Sequence, residues 1–374
     1  MISASAMGLI FPNTHEAGVP ELVAHRTMAS IPFGGRYRMI DFVLSGMANA
    51  GIENVGLLTQ KNYQSLMDHL GNGREWDLSR KRGGLVIFPP YARDGNELYS
   101  SRIEALASVI DYLSSRREEL VVMSDSNHAF NLNFKDLLDA HRQSGADVTV
   151  LYHRAEVPKG LQRDNVTFVF DGAGRATEIR INDFVGGVRN LSMNLFVLGR
   201  TFLIELVKEC MVRGDKRFEA DYLAPNLGKV KVHGYEFTGY CAHIYNMQSY
   251  FAESLRLIDP ESLAALFPQE RAIYTKVRDE APVRYAIDSR VHCSLVADGC
   301  IIEGEIENCV IFRGVRIGKG AKLKNCVVMQ SSWIQPGAVM ENVITDKNVI
   351  IGESQQLRGA PHFPVFIAKN CVVV

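Results

Sequence analysis

Chemistry in this chain would have to come from a few short stretches. The first is Phe11-Pro12-Asn13-Thr14-His15-Glu16-Ala17-Gly18, which follows the apolar run Met7–Phe11. Such a run reads as a buried first strand, and in an open α/β sheet the loop after that strand holds phosphates on bare backbone N–H groups. A phosphate loop needs glycines, because a Cβ keeps the backbone at a distance. Here Pro12 has no N–H to give, and Glu16 puts negative charge where a triphosphate would lie. The second stretch is Asp125-Ser126-Asn127-His128, at the end of the apolar strand Glu119–Ser124. Ligands of open α/β sheets bind beyond the carboxyl ends of the strands, and Mg²⁺ there requires oxygen ligands. Asp125 could supply one, or it could cap the next turn. The third is a basic group, Arg26, Arg36 and Arg38, with His25 beside it. Guanidinium forks suit phosphate; the plainer alternative is surface arginines with acidic neighbours.

The elements that must position these residues alternate between strand and helix over roughly the first 245 residues, which predicts an α/β domain with a mostly parallel sheet. The patterns predict a helix near 37–50, a strand at Asn54–Thr59, a helix at Tyr63–Leu70 and a strand at Leu85–Pro89. Further on they predict a helix at Ser101–Ser114 and strands at Asp147–His153, Val166–Phe170, Ala176–Ile181 and Leu191–Leu198. Asp171-Gly172-Ala173-Gly174 is a hairpin turn signal. Residues 71–84, polar and glycine-rich, read as a mobile loop. A helix is expected at 247–258 and a linker over 259–283, giving domains at 1–258 and 284–374.

The last part of the chain is a repeat. Asn308, Asn325 and Asn342 recur every 17 positions, and apolar residues return at five- to six-residue steps through Ile306, Phe312, Ile317, Leu323, Val328, Ile334, Val339, Ile344 and Val349. Three short strands in a coil of about 18 residues is the hexapeptide β-helix pattern. Cys309 and Cys326 share one repeat position and read as interior packing.

Composition excludes several classes. A chain of 374 residues with 47% hydrophobic and 22% charged residues is that of an ordinary globular protein, and a net charge of −1 gives no basic footprint for nucleic acid. No run approaches the ~18 apolar residues of a membrane span, and the N-terminus lacks the basic lead of a signal peptide. Seven cysteines without CxxC spacing favour reduced thiols and a cytoplasmic setting.

One segment carries a resemblance. Ile31-Pro32-Phe33-Gly34-Gly35-Arg36-Tyr37-Arg38-Met39-Ile40-Asp41-Phe42 is similar to the PFGGKYRIIDF segment of glucose-1-phosphate adenylyltransferases, the makers of ADP-glucose for glycogen and starch. Asp298–Gly304 and Phe312–Gly318 resemble that family's C-terminal left-handed β-helix, and Leu191–Val197 resembles its ASMGIYIF strand, with Asn194 in the place of a glycine. The catalytic members carry LAGGxGxRL where this chain has LIFPNTHEAG, and RAKP where it has Arg26-Thr27-Met28-Ala29. The resemblance puts a lysine at Met28. It puts the first metal carboxylate at Asn127, by comparison with SGDHIYKMDY. The second falls at His243, by comparison of Gly239–Met247 with GYWRDVGT. Glu104 stands where a GTADA segment has its Asp. No lysine matches the sugar-phosphate lysine of an EKP motif; Arg180 is the nearest candidate, or simply an exposed strand arginine.

This combination resembles the GlgD-type subunit, the partner of the catalytic GlgC-type subunit in Gram-positive bacteria. The resemblance implies a modulatory, catalytically silent chain with no cofactor of its own, packed with a catalytic subunit in a heterotetramer. Groups of the lost kind typically contribute several kcal/mol each to transition-state stabilisation. It also implies that Arg26, Arg36 and Arg38 belong to a regulatory pocket for a phosphorylated metabolite, with Arg316 and Lys319 as weaker candidates. The rival reading is an active sugar-phosphate nucleotidyltransferase with a rewired Mg²⁺ site built on Asp125, Glu104 or His243. Otherwise His243 is a polar relic and Glu104 a solvated helix residue. A hexapeptide acyltransferase is disfavoured, since His292 and His362 lie at the margins of the repeat.

Overall fold

A computed structural model describes residues 6–90, 99–157, 159 and 165–374. The chain forms two compact units that do not follow sequence order. The first comprises residues through Thr14, Val43–Ser126 and Asn131–Gly239; the second comprises His15–Phe42, Asn127–Phe130 and Tyr240–Val374. Among the described residues no helix is long and apolar enough to cross a membrane.

The first unit is built on a nine-stranded sheet: β1 (Ala6–Phe11), β2 (Asn54–Leu58), β3 (Gly84–Phe88), β4 (Leu120–Asp125), β5 (Val148–Val157), β6 (Val166–Phe170), β7 (Ala176–Ile181), β8 (Gly187–Gly199) and β9 (Val232–Glu236). The order β3-β2-β1-β4 is parallel throughout. β8 then pairs antiparallel with β4 and with β5, and β9 joins β5 in parallel. β1 and β4 are buried along their whole length, which is why both read as unbroken apolar runs. Their side chains Met7, Leu9, Val121 and Met123 pack with Leu106, Phe196 and Leu203 in one core.

Local chemistry set several details. Asp171 accepts from the N–H groups of Ala173 and Arg175 and closes the hairpin between β6 and β7. Asn194 has φ 53° and sits at the register irregularity of β8 against β5; a left-handed residue in a bulge is a position for glycine or asparagine. The helix expected over Ser101–Ser114 breaks at Val109 into Arg102–Ser108 and Ile110–Ser115. The stretch 71–84 is anchored rather than free, because Trp76 and Leu78 are buried, a signal outweighed in the sequence by its glycines and charges.

The second unit contains a parallel β-helix from Arg284 onward. One sheet stacks Arg284–Tyr285, Ile301–Ile302, Arg316–Ile317, Trp333–Ile334, Ile350–Ile351 and Val372–Val373. Its interior holds Ile302, Ile306, Cys309, Ile317, Leu323, Cys326, Val328, Ile334, Met340 and Val349. The two cysteines are stacked packing groups, and burial pushes the Cys326 thiol up. Three expected interior positions face elsewhere. Val339 sits in an outward column with Glu305 and Lys322, leaving Met340 inside. Phe312 and Ile344 face outward into a second core with Met28, Phe33, Phe42, Tyr250 and Leu257. Another outward column reads Glu307, Lys324, Glu341, Arg358, so stacked neighbours alternate in sign. Met247–Arg256 begins in an Asn246–Ser249 capping box, and Asp259 caps Pro260–Leu266, a helix inside the stretch expected as linker.

The 17-residue asparagine repeat is a hydrogen-bonded ladder. Asn308, Asn325 and Asn342 have φ of 52°, 49° and 53°. The Asn308 amide donates to Asn325 Oδ1 at 2.7 Å, Asn325 to Asn342 Oδ1 at 3.2 Å, and Asn342 to the Gly359 carbonyl at 3.0 Å. Asn325→Ala therefore loses two hydrogen bonds and strains a left-handed backbone, at a cost of about 2–4 kcal/mol in denaturant unfolding. Asn325→Gly restores the backbone freedom and recovers about 1 kcal/mol of it.

Candidate functional site

The loop after β1 closes on itself. Thr14 Oγ1 donates to the Phe11 carbonyl. The Asn13 amide donates to the Lys61 carbonyl at 2.9 Å and accepts from Gln60 N–H at 2.9 Å. The chain then makes a short 3₁₀ turn, Glu16–Gly18, with no side-chain cap. Its one glycine is spent on packing: a Cβ on Gly18 would collide with the Tyr245 carbonyl oxygen. Pro12, which has no N–H, and a single glycine tied up in packing set this loop apart from the glycine-lined backbone on which a phosphate sits.

At the carboxyl end of β4, Asp125 is buried and meets a cation from its own chain. Arg102 Nη2 donates to Asp125 Oδ2 at 2.7 Å, and Nη1 donates to Glu219 Oε1 at 2.8 Å. Glu219 lies on a one-turn π-helix, Phe218–Leu223, a rare feature that is frequent at functional sites. The guanidinium also lies over the rings of Phe11 and Phe196, with Cζ 5.3 and 5.6 Å from their centroids. Burial opposes the charge on Arg102, yet Asp125 and then Glu219 hold its pKa above the ordinary value. Arg102 begins the helix Arg102–Ser108, the wrong end for a cation in the helix dipole. The two carboxylates and two aromatic faces are what make that placement tolerable.

In the second unit, the strands His128–Phe130 and Cys241–His243 pair antiparallel, with His128 opposite His243. The Asn127 amide lies 3.3 Å from His243 Nε2, and Asn127 Oδ1 lies 2.9 Å from His128 Nδ1. The two imidazoles stack at 4.2 Å between centroids and 9° between planes. So the positions matched to the two metal carboxylates do face each other, as partners on one ion would. They hold an amide and an imidazole instead, bonded to one another. Mg²⁺ does not fit these residues: it prefers charged oxygen ligands, and the amide oxygen is already used.

The other matched positions have been absorbed into structure. Met28, at the lysine position, is fully buried in the apolar core of its unit. Glu104 accepts from the Ser100 N–H and hydroxyl and lies 3.5 Å from Lys216 Nζ. The Ser100 N–H bond is the main cause that lowers its pKa. Arg180 is exposed and forks onto Glu178, 2.9 Å at each contact.

The three arginines of the basic group have different surroundings. Arg36 is exposed and Arg38 half-buried. Arg26 is 2% exposed and its Nη2 donates to both Asp346 oxygens, at 2.7 and 2.9 Å. Its Nη1 is buried and has no hydrogen-bond partner among the described residues. Asp346 itself accepts from the Lys347 N–H. Burial pushes Lys347 down to about 6, helped by the charges of Arg38 and Arg26. Asp346 thus pairs with Arg26 beside a lysine that is held largely neutral near pH 7 by burial and by the charges of Arg38 and Arg26, and one guanidinium nitrogen is left unsatisfied.

Two stretches of the chain match models of known families. A nucleotidyl transferase model matches residues 22–162, and a GlmU-like C-terminal hexapeptide model matches residues 282–359. The glycogen biosynthesis protein GlgD of Bacillus subtilis is 37% identical over 373 residues, covering 100% of this chain and 98% of that protein. The chain belongs to the GlgD family. A role in glycogen biosynthesis accompanies that membership. Glucose-1-phosphate adenylyltransferases are also similar: that of Pseudothermotoga lettingae is 33% identical over 98% of this chain and 89% of its own, and that of Thermotoga neapolitana 34% identical over 79% and 70%. Within this GlgD-family chain, sequence reasoning missed Arg102, Asp346 and Lys347. Arg102 stood two residues from Glu104 but had no identifiable partner, and Asp346 lies 320 positions from Arg26.

Proposed function

We propose that this chain is a modulatory subunit with little or no turnover of its own. It would assemble with a catalytic glucose-1-phosphate adenylyltransferase subunit, in a heterotetramer, and raise that subunit's output of ADP-glucose for glycogen. The observation that carries this reading is the Asn127–His243 pair, in place of two carboxylates. The self-closed loop after β1 and the buried Met28 support it. Coupling between subunits needs no chemistry in the modulatory one, only surfaces that favour one state of the partner. The same reading gives the basic cluster of Arg26 and Arg38, now with Lys347, the role of binding a phosphorylated metabolite. Arg36, exposed beside it, completes the entrance.

The test is ADP-glucose synthesis by this chain alone, by the catalytic homologue alone, and by the two mixed. The chain alone is expected to turn over at least about 10⁴-fold more slowly than the homologue, the cumulative effect of several missing electrostatic groups. The mixture is expected to exceed the homologue by about 5–150-fold in rate or effector response. An ordinary rate from the chain alone would overturn the reading.

A further inference from the structure

The strand-end pocket of the first unit departs from what its fold implies. Where a nucleotidyl transferase crevice is expected to present oxygen ligands to a divalent cation, this one presents two carboxylates already bridged by an internal cation. Arg102 reaches Asp125 at 2.7 Å and Glu219 at 2.8 Å, one from each terminal nitrogen. The Asp125 side chain is fully buried and that of Glu219 is 13% exposed. Arg102 Cζ lies 5.3 Å from the Phe11 ring centroid and 5.6 Å from that of Phe196, so apolar faces border the guanidinium.

We infer that Arg102 is the resident cation of this pocket, and that it is Arg102, rather than any lack of carboxylates here, that bars a divalent metal from Asp125 and Glu219. The charge balance requires a cation at this point: a buried Asp125 carboxylate with Glu219 close by would be strongly unfavourable without one. A guanidinium supplies it permanently, since it does not deprotonate in proteins. It supplies hydrogen bonds but no open coordination position: it offsets one of the two carboxylate charges, occupies one oxygen of each carboxylate, and leaves the pocket unable to hold a metal–nucleotide complex. The inference concerns the pocket alone and does not depend on any partner subunit.

The experiment titrates Mn²⁺, without nucleotide, into the full chain and reads free Mn²⁺ by electron paramagnetic resonance. Wild type should show no site that Asp125→Asn removes. Arg102→Ala should gain a site for Mn²⁺ at least about tenfold tighter than anything in wild type, and Arg102→Ala/Asp125→Asn should lose it. Arg102→Gln, which keeps a hydrogen bond to one carboxylate, should fold and gain a weaker site. A wild-type site abolished by Asp125→Asn overturns the inference, as does a folded neutral variant that gains nothing. An Arg102→Gln chain that cannot fold also overturns it, because the guanidinium would then be a structural requirement and not a replaceable cation.

Discussion

Replacing Asp346 by Asn lowers the stability of the unit carrying the β-helix by about 3–5 kcal/mol, or roughly 10 °C in Tm. The reason is the company Asp346 keeps. Its side chain is 3% exposed, Arg26 is 2% exposed, and Nη2 of Arg26 spends both its bonds on the Asp346 oxygens. Without the carboxylate, Arg26 becomes a buried charge that has lost both acceptors of its Nη2, and Lys347 loses the Asp346 charge that favours its protonation. Breaking such a pair costs far more than the pair contributes, so Arg26→Met/Asp346→Leu should recover most of the loss. Sulfate gives the functional readout. If the cluster holds anions, sulfate should raise the Tm of Asp346→Asn more than that of wild type, because the ion takes over the carboxylate's place. Equal shifts in the two proteins would argue that the cluster is purely structural.

The second large effect is in pH. Lys347 is pushed down to about 6 from an ordinary value of 10.5, first by burial and then by Arg38 and Arg26, with Asp346 acting the other way and Lys369 adding to the push. Between pH ~6 and ~10 the unfolded chain binds this proton and the folded chain does not, so stability rises with pH across that window and is flat in this group below it. Lys347→Met removes the slope and stabilises the protein most at the acidic end. Anion binding should reverse the balance, since an anion beside Lys347 restores its charge. Sulfate, which does not titrate here, should then bind with proton uptake, weakening by up to about tenfold for each pH unit above 6. Calorimetry in buffers of different ionisation enthalpy measures the uptake directly. Binding without it would remove Lys347 from the site.

Much of the architecture was legible because each element reports on its own neighbourhood. The unbroken apolar runs of β1 and β4 required burial on both faces. The 17-residue repeat required stacked coils, since equal spacing of turn asparagines and apolar residues brings each asparagine over its copy one coil away, where the two amides can bond. The loss of glycines after β1, and the amide and imidazole at 127 and 243, could be read from residue type alone. That Asn127 and His243 bond to each other is a tertiary fact, but the pairing had been expected of the carboxylates they replace.

Charge pairing was different. Arg102 gave no sign of its role, because its partners lie 23 and 117 positions away, and an arginine opening a helix looks like a solvated residue until both carboxylates are seen. Arg26 read either as a phosphate ligand or as a surface arginine with an acidic neighbour; the fold buries it against Asp346, a partner that spacing could not name, and places the depressed Lys347 beside them. Phe312 and Ile344 read as β-helix interior because spacing fixes only that a position is buried, and on a three-sided coil the covering element decides which side is buried. Sequence determined which groups this protein lacks for chemistry. Tertiary structure alone decided what replaced them, because Coulomb interactions between buried charges depend on distance in space and desolvation, neither of which is written in spacing along the chain.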